Sequence, residues 1–384
     1  MPLRSIFEQH RRLCVIISFL IAIAGLLAAV GIGLAPVAKR MMGKVIIPIS
    51  VQPAATGIHA VTSTSVLIPV TRAEGQSTED IPVELWSPPL SITTPPGRFP
   101  IILYISGWDG NRTDNTFAAR SLASHGYVVA AIDDIGADIA RERTRVEPNN
   151  RTAFQDLDFS SEAGVAKFRD AAKIRLHLMV RKTLAVLNGL AANRTKPNSP
   201  ILATVQFDRV GIFGFSFGGT VAAEVTRHDK RFVAVANMDG WLFGEAAIHG
   251  IETPYLSFNS DFPNIQQVAK TGRFAKKMAA RWTIADRGLQ ERQLQRPDAY
   301  ILYFRNVEHS DFTDTLFAPS LKSYIKFWRR TNKQRLELKI TFDTYLEAFF
   351  GHYLRHDKFK YIPLEKLPKG VNARLLKSNP SPAK

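Results

Sequence analysis

Cysteine is almost missing from this chain. Cys14 is the only one among 384 residues, and it lies in an apolar N-terminal segment. The folded part therefore has no internal disulfide and no thiol for nucleophilic catalysis or zinc ligation. Acidic residues are scarce relative to basic ones: 34 Asp and Glu stand against 50 Lys and Arg, a formal net charge of +16. That balance suits nucleic acid or an anionic membrane surface, and a solvated basic surface without a partner accounts for it equally well. No basic helix interleaved with aromatics and no nucleic-acid fold signature occurs, so nucleic acid is set aside and a membrane is the expected partner. Internal repeats and long low-complexity blocks are lacking too. What remains is 45% hydrophobic content, enough for one large core.

Within that core-forming sequence, one stretch organises the rest. Arg209-Val210-Gly211-Ile212-Phe213 runs into Gly214-Phe215-Ser216-Phe217-Gly218, and small residues follow through Thr220, Val221, Ala222 and Ala223. An apolar strand, a Gly-x-Ser-x-Gly turn and a helix in that order form a nucleophile elbow, where a serine hydroxyl projects from a tight turn. The N–H groups at the start of the helix then lie where an oxyanion would form. Ser216 is read as the nucleophile of an α/β-hydrolase fold, a mostly parallel doubly wound sheet with helices on both faces.

The remaining chain fits that architecture. Residues 56–72 and 81–87 read as antiparallel strands, and 99–105 as a continuous apolar strand buried on both faces. Residues 127–133, 232–238, 255–260 and 300–306 read as further strands, with helices near 117–124, 168–190, 321–330 and 342–354 between and after them. Ile174, Leu178, Leu184 and Leu187 supply the core stripe of the 168–190 helix. Residues 134–161 are polar and irregular, either a lid or a solvated loop. The loop Ser106-Gly107-Trp108-Asp109-Gly110 follows a strand that, in this fold, leads to the second oxyanion donor, which makes the backbone N–H groups of Trp108 and Phe217 the expected pair.

The triad order of the fold is serine, acid, histidine. Of His249, His309, His352 and His356, only His309 sits in a loop directly after a strand. His352 and His356 are at one-turn spacing but lack nearby third ligands, so no metal site is expected. Asp239 and Asp261 both follow strands, and spacing alone leaves the acid open between them.

At this point the residues carry a resemblance. Gly214–Gly219 followed by Asp239-x-Trp241-x-Phe243, with Phe258-Asn259-Ser260, Val307-Glu308-His309 and His125–Ala131, is similar to the plasma-type (group VII) platelet-activating factor acetylhydrolases. The resemblance implies Ser216, Asp239 and His309 as the triad, and Phe217 and Trp108 as oxyanion donors. It also implies hydrolysis of short or oxidised sn-2 acyl esters of phospholipids, without a cofactor. Phe215 and Ser106 stand where the family usually has histidine, which changes the pocket wall. Trp241, Phe243, Phe215 and Phe312 are expected to line the substrate site. A broad carboxylesterase of dienelactone-hydrolase or polyester-hydrolase type is the competing expectation, and a catalytically silent scaffold is a third.

The expected layout is a basic segment over 1–12, a transmembrane signal anchor over 13–38, the hydrolase domain over 45–362 and a basic, unstructured tail over 363–384. Leu13 to Ala38 carries no charge and exceeds the roughly 20 residues that cross a bilayer. Charges nearly balance across it, with Arg4, Arg11 and Arg12 facing Lys39, Arg40 and Lys44. The expectation is membrane anchoring with the hydrolase domain outside the cytoplasm, or secretion after cleavage near Gly33-Leu34-Ala35.

Overall fold

The computed structural model describes residues 42, 45–47, 49, 53–71, 78–91, 95–133, 158–196, 200–326, 330–358 and 373–377. The chain divides into two compact units, residues 1–50 with 317–331 and residues 51–316 with 332–384. In the smaller unit, Ile47 N–H donates to the Pro319 carbonyl at 2.9 Å and Leu321 N–H to that of Val45 at 2.6 Å.

The larger unit is built on a nine-stranded sheet among the described residues, in the order β1-β2-β4-β3-β5-β6-β7-β8-β9. Its strands are β1 Thr62–Thr71, β2 Thr78–Ser87, β3 Phe99–Ile105, β4 Val128–Ile132, β5 Val205–Phe215, β6 Phe232–Met238, β7 Tyr255–Asn259, β8 Ala299–Phe304 and β9 Ala373–Lys377. From β4 to β8 all neighbours pair in parallel; β1, β2 and β9 are antiparallel edges. Among the described residues, the α-helices of six or more residues are α1 Thr116–Ser124, α2 Glu162–Ala192, α3 Phe217–Val225, α4 Gly244–His249, α5 Ile265–Thr271, α6 Phe274–Arg292 and, in the smaller unit, α7 Leu321–Lys326, then α8 Asn332–Arg355. This is the α/β-hydrolase architecture.

Burial explains why the central strands read so clearly. Every residue of β3 and of β4 is buried, as continuous apolar runs covered on both faces require. On one face, Phe168, Leu176, Met179 and Leu187 of α2 pack with Ile101, Leu103 and Val221. On the other, α8 brings Phe342 against Phe312 (ring centroids 4.8 Å apart) and Phe304 (5.0 Å). Each such aromatic pair adds about 0.5–1.5 kcal/mol beyond the area it buries.

Three expectations change here. Ile174 is 44% exposed, and the buried stripe of α2 runs instead through Phe168, Ala172, Leu176, Met179, Thr183 and Leu187. Part of the basic tail is regular: β9 pairs with β8 from Tyr300↔Lys377 to Phe304↔Ala373. A sheet edge with unpaired peptide groups can order a short segment that has little propensity of its own. The expected membrane-anchored localisation is corrected, because among the described residues no helix is long and apolar enough to cross a membrane. The longest helix among the described residues, α2, is interrupted by Arg169, Lys173, Arg175, Arg181 and Lys182. Residues 13–38, on which the anchor was expected, lie outside the described residues, as does most of 134–161.

Candidate active site

Ser216 stands between the end of β5 and the first residue of α3, with φ +54° and ψ −124°. A non-glycine residue in that region is strained, by about 1–3 kcal/mol, and such strain persists only where the surroundings hold it. They do so here by close approach. A Cβ on Gly214 would lie 2.1 Å from the Gly218 carbonyl oxygen, and one on Gly218 would lie 2.1 Å from that of Ile105. Ser216 N–H donates to the Met238 carbonyl at 2.8 Å, tying the turn to β6. The hydroxyl consequently projects above the carboxyl ends of the parallel strands, where open α/β sheets bind ligands.

The loops after β6 and β8 bring two more side chains to it. His309 Nε2 is 2.9 Å from Ser216 Oγ, and His309 Nδ1 is 2.7 Å from Asp239 Oδ2. The imidazole is about half exposed (51%), while the carboxylate is only 14% exposed. Asp239 is itself held: its N–H donates to the Phe258 carbonyl at 2.7 Å, and its Oδ1 accepts from Ser260 N–H at 2.7 Å. Burial pushes the Asp239 carboxyl up, but the hydrogen bond and charge of His309 and the Ser260 N–H outweigh it, leaving the group below the ordinary carboxylate value. Asp261, the other candidate acid, faces elsewhere, accepting from Asn306 N–H at 3.3 Å while its own N–H donates to the Val307 carbonyl.

Trp108 and Phe217, expected as oxyanion donors, both border the site, their rings 4.9 Å apart and edge-on. As the first residue of α3, Phe217 has no intrahelical partner for its N–H. The Trp108 loop is clamped from α2. Arg175, 3% exposed, stacks its guanidinium 4.4 Å from the Trp108 ring centroid and pairs with Asp109 at 2.9 Å. Asp109 also has positive φ, +59°, so the clamp sits on a bent piece of backbone. Arg175→Met keeps most of the packing volume but removes the fork. The expected result is a fall in kcat on a soluble ester of at least about tenfold, below the 10²–10³ that a fully lost donor costs, with KM nearly unchanged. Steady-state kinetics beside a thermal melt check it, and Arg175→Lys should not rescue, because an ammonium cannot both stack and pair in that geometry.

A cavity of about 300 Å³ opens over Ser216 and His309. Trp108, Phe168, Phe217, Trp241 and Phe243 supply its apolar wall. Trp241 and Phe243, expected at the substrate site, line this cavity. Phe215 is not in the lining; its ring packs 4.7 Å from the His309 ring. Phe312 is corrected from a substrate contact to a core residue, 1% exposed and stacked on Phe258 and Phe342. Ser106 is buried and directs its hydroxyl to the Ile132 carbonyl at 3.3 Å.

Sequence reasoning missed the whole contribution of α6. Thr283, Asp286 and Arg287 reach the cavity from it, and Gln290 lies one turn beyond Asp286. Asp286 accepts from Leu242 N–H at 2.7 Å and from Gln290 Nε2 at 2.8 Å, bracing the segment that carries Trp241. Burial pushes its carboxyl up to about 7, against those two donors and the nearby charge of Arg287 and with a further push from the charge of Asp239. The spacing of Trp282, Asp286 and Gln290 marks one helix face and was the available signal. Among the described residues, no group of three or more His, Cys, Asp or Glu is disposed to hold a metal ion.

Comparison with known proteins places the chain in a family. The family model described as platelet-activating factor acetylhydrolase, isoform II, matches residues 82–293, a span that holds Ser216 and Asp239. The platelet-activating factor acetylhydrolase of Cavia porcellus is 24% identical over 53% of this chain and 49% of its own length. That of Bos taurus is 22% identical over 43% of this chain and 40% of its own. A probable 1-alkyl-2-acetylglycerophosphocholine esterase of Arthroderma benhamiae is 27% identical over 42% and 38%. The chain thus spans about half the length, or less, of these curated relatives. Among solved structures, a ferulic acid esterase from Streptomyces cinnamoneus superimposes with a TM-score of 0.50 at 18% identity, covering 83% of this chain and 96% of that one, a likeness of fold. With the family model matching more than half of its residues, this chain belongs to the platelet-activating factor acetylhydrolase, isoform II, family.

Proposed function

We propose that this protein is a serine-dependent carboxylic ester hydrolase that removes short sn-2 acyl groups from phospholipids through an acyl-enzyme. The observation that carries the reading is the continuous chain Asp239–His309–Ser216, at 2.7 and 2.9 Å, opening into an apolar cavity. An ionised carboxylate only accepts hydrogen bonds, so His309 Nδ1 carries the proton toward Asp239, and Nε2 is left to accept from the serine hydroxyl.

On attack, Ser216 Oγ bonds to the ester carbonyl carbon as its proton passes to His309 Nε2. The carbonyl oxygen, now negative, is held by the N–H groups of Phe217 and Trp108. His309 returns the proton to the alcohol oxygen as the C–O bond breaks, and the lyso product leaves. Water then adds to the acyl carbon with His309 again as base, releasing the acid and restoring Ser216. No step calls for a cofactor.

Size supports a short acyl group. At about 300 Å³ the cavity lies at the low end of the roughly 300–1,000 Å³ usual for ligand sites, which leaves the bulk of a lipid outside. The names of the relatives support the same substrate class.

Turnover of p-nitrophenyl acetate and of a 2-acetyl phospholipid, measured side by side, tests the reading. A higher kcat/KM on the phospholipid, declining steeply as the sn-2 chain lengthens, is the expected result. Preference for the simple ester with no dependence on chain length would make the protein a general carboxylesterase. Failure of a fluorophosphonate probe to label Ser216 would remove the serine mechanism altogether.

A further inference from the structure

The cavity over Ser216 contains a cation that the hydrolytic steps above do not use. Arg287, on α6, lines the same space as Ser216, His309 and Thr283. Its surroundings leave it poorly matched. Nε is buried without a hydrogen-bond partner, and Nη2 reaches only the Ser260 carbonyl, at a long 3.5 Å. The guanidinium carbon lies 5.2 Å from the centroid of the Tyr303 ring, which supports the plane without satisfying its donors. Among the described residues, no carboxylate lies within ion-pair distance of Arg287.

The two acids of the lining are already hydrogen-bonded to other groups, and Arg287 acts on Asp286 through its charge alone, without an ion-pair contact. Asp239 is occupied by His309 and Ser260, and Asp286 by Leu242 and Gln290. A partly buried guanidinium with an unsatisfied N–H is costly, since a buried donor without an acceptor forfeits its hydration. The group that would satisfy it is a planar or tetrahedral oxyanion, which a guanidinium can engage through two parallel N–H donors.

We propose that Arg287 is the specificity-determining residue for an anionic group on the substrate, a carboxylate or phosphate oxygen that enters the cavity with the ester. This deepens the esterase reading and rests on it. Two parts of a substrate can supply the charge: a carboxylate at the far end of the acyl group, or the phosphodiester on the alcohol side. Both present oxygens to the same cation, and they differ in which side of the scissile bond must face α6. Arg287 touches neither Ser216 nor His309 in the hydrogen-bond network, so its influence falls on binding of the substrate and on which end enters first.

Two matched pairs of esters separate the sources. The mono-p-nitrophenyl ester of adipic acid is compared with p-nitrophenyl hexanoate, and a 1-alkyl-2-acetyl phospholipid with the same diglyceride lacking the phosphate. In wild type, one charged member is expected to have the lower KM. In Arg287→Met the charged-to-neutral ratio of kcat/KM for that pair should fall about ten- to hundredfold, the worth of a charge-assisted hydrogen bond. Arg287→Lys should recover part of the ratio.

The preference should also persist at about 0.5 M salt, where the long-range field of a +16 molecule is screened but a buried contact is not. Free adipate against free hexanoate as product inhibitors of wild type gives a second arm, for the acyl-side charge, that needs no variant. A fall confined to the adipate pair assigns the acyl side, and one confined to the phospholipid pair assigns the headgroup side. A ratio unchanged by Arg287→Met in both pairs overturns the proposal, as does a wild-type preference that vanishes in salt. If wild type hydrolyses no ester of either pair, the esterase reading itself has failed. If it hydrolyses all four without discrimination, only the anionic subsite has.

Discussion

Ser216→Ala is expected to abolish turnover, lowering kcat by about 10⁵- to 10⁶-fold while leaving the fold intact. The size of the effect follows from the covalent route. Without Oγ there is no acyl-enzyme, and water must attack directly, aided only by the proposed oxyanion hole of the Phe217 and Trp108 amides. Those amides retain a residual acceleration of about 10³–10⁴ over solution, so the variant should remain measurably above background. His309→Ala is expected to cost as much, and the double variant no more than either alone, because the two groups act as one unit. Stopped-assay kinetics on p-nitrophenyl acetate, with thermal melts to verify folding, would check this. A Ser216→Ala protein that retained more than a hundredth of wild-type kcat would mean that the hydroxyl 2.9 Å from His309 is not the attacking atom.

The second large effect concerns the acid. Asp239→Asn should lower kcat by about 10⁴-fold, and Asp261→Asn by little. The asparagine is nearly the same shape, so the loss is one of charge and proton position. Its Nδ2 would donate toward His309 Nδ1, driving the ring to the tautomer whose Nε2 carries a proton and cannot accept one from Ser216. The imidazolium of the transition state would lose its counter-charge as well. The same variant carries a stability signature. Because the folded pKa of Asp239 lies below its unfolded value, the interactions that favour its ionised form, the hydrogen bonds from His309 and Ser260 among them, contribute stability above the unfolded value that is lost as the pH falls through the folded value. Asp239→Asn should flatten that part of the acid side of the stability profile. Equal activity loss in the two variants would assign both carboxylates to the reaction; loss in Asp261→Asn alone would transfer the role.

How far the site could be read in one dimension depended on how its parts meet. The elbow was legible because β5, Gly214, Ser216, Gly218 and α3 are contiguous, and the glycines are demanded by contacts within the same few residues and with β3. The histidine was legible as the one that follows a parallel strand. The choice between Asp239 and Asp261 was not legible from spacing, since β6 and β7 are neighbours and each ends in an aspartate. They separate only in three dimensions, where Asp239 meets His309 and the Ser260 N–H while Asp261 accepts from Asn306 N–H. Helix α6 escaped notice because its face toward the site is polar: Thr283, Asp286, Arg287 and Gln290 look like a solvated surface until the loop of Trp241 lies over them. Phe312 misled for the reverse reason. It stands three residues from His309, but the 3₁₀ turn over His309–Phe312 sends the two side chains to opposite sides, one to the cavity and one to the aromatic core. Strand β9 depends on an unfilled edge of β8, which no local pattern records.

The backbone of Ser216 has an implication for the molecule's history as much as for its chemistry. A residue kept at φ +54° is one that glycine would occupy with less strain, so the fold and the reaction make opposing demands at a single position. A serine held in a conformation that disfavours it ties the shape of this turn to the hydroxyl it presents.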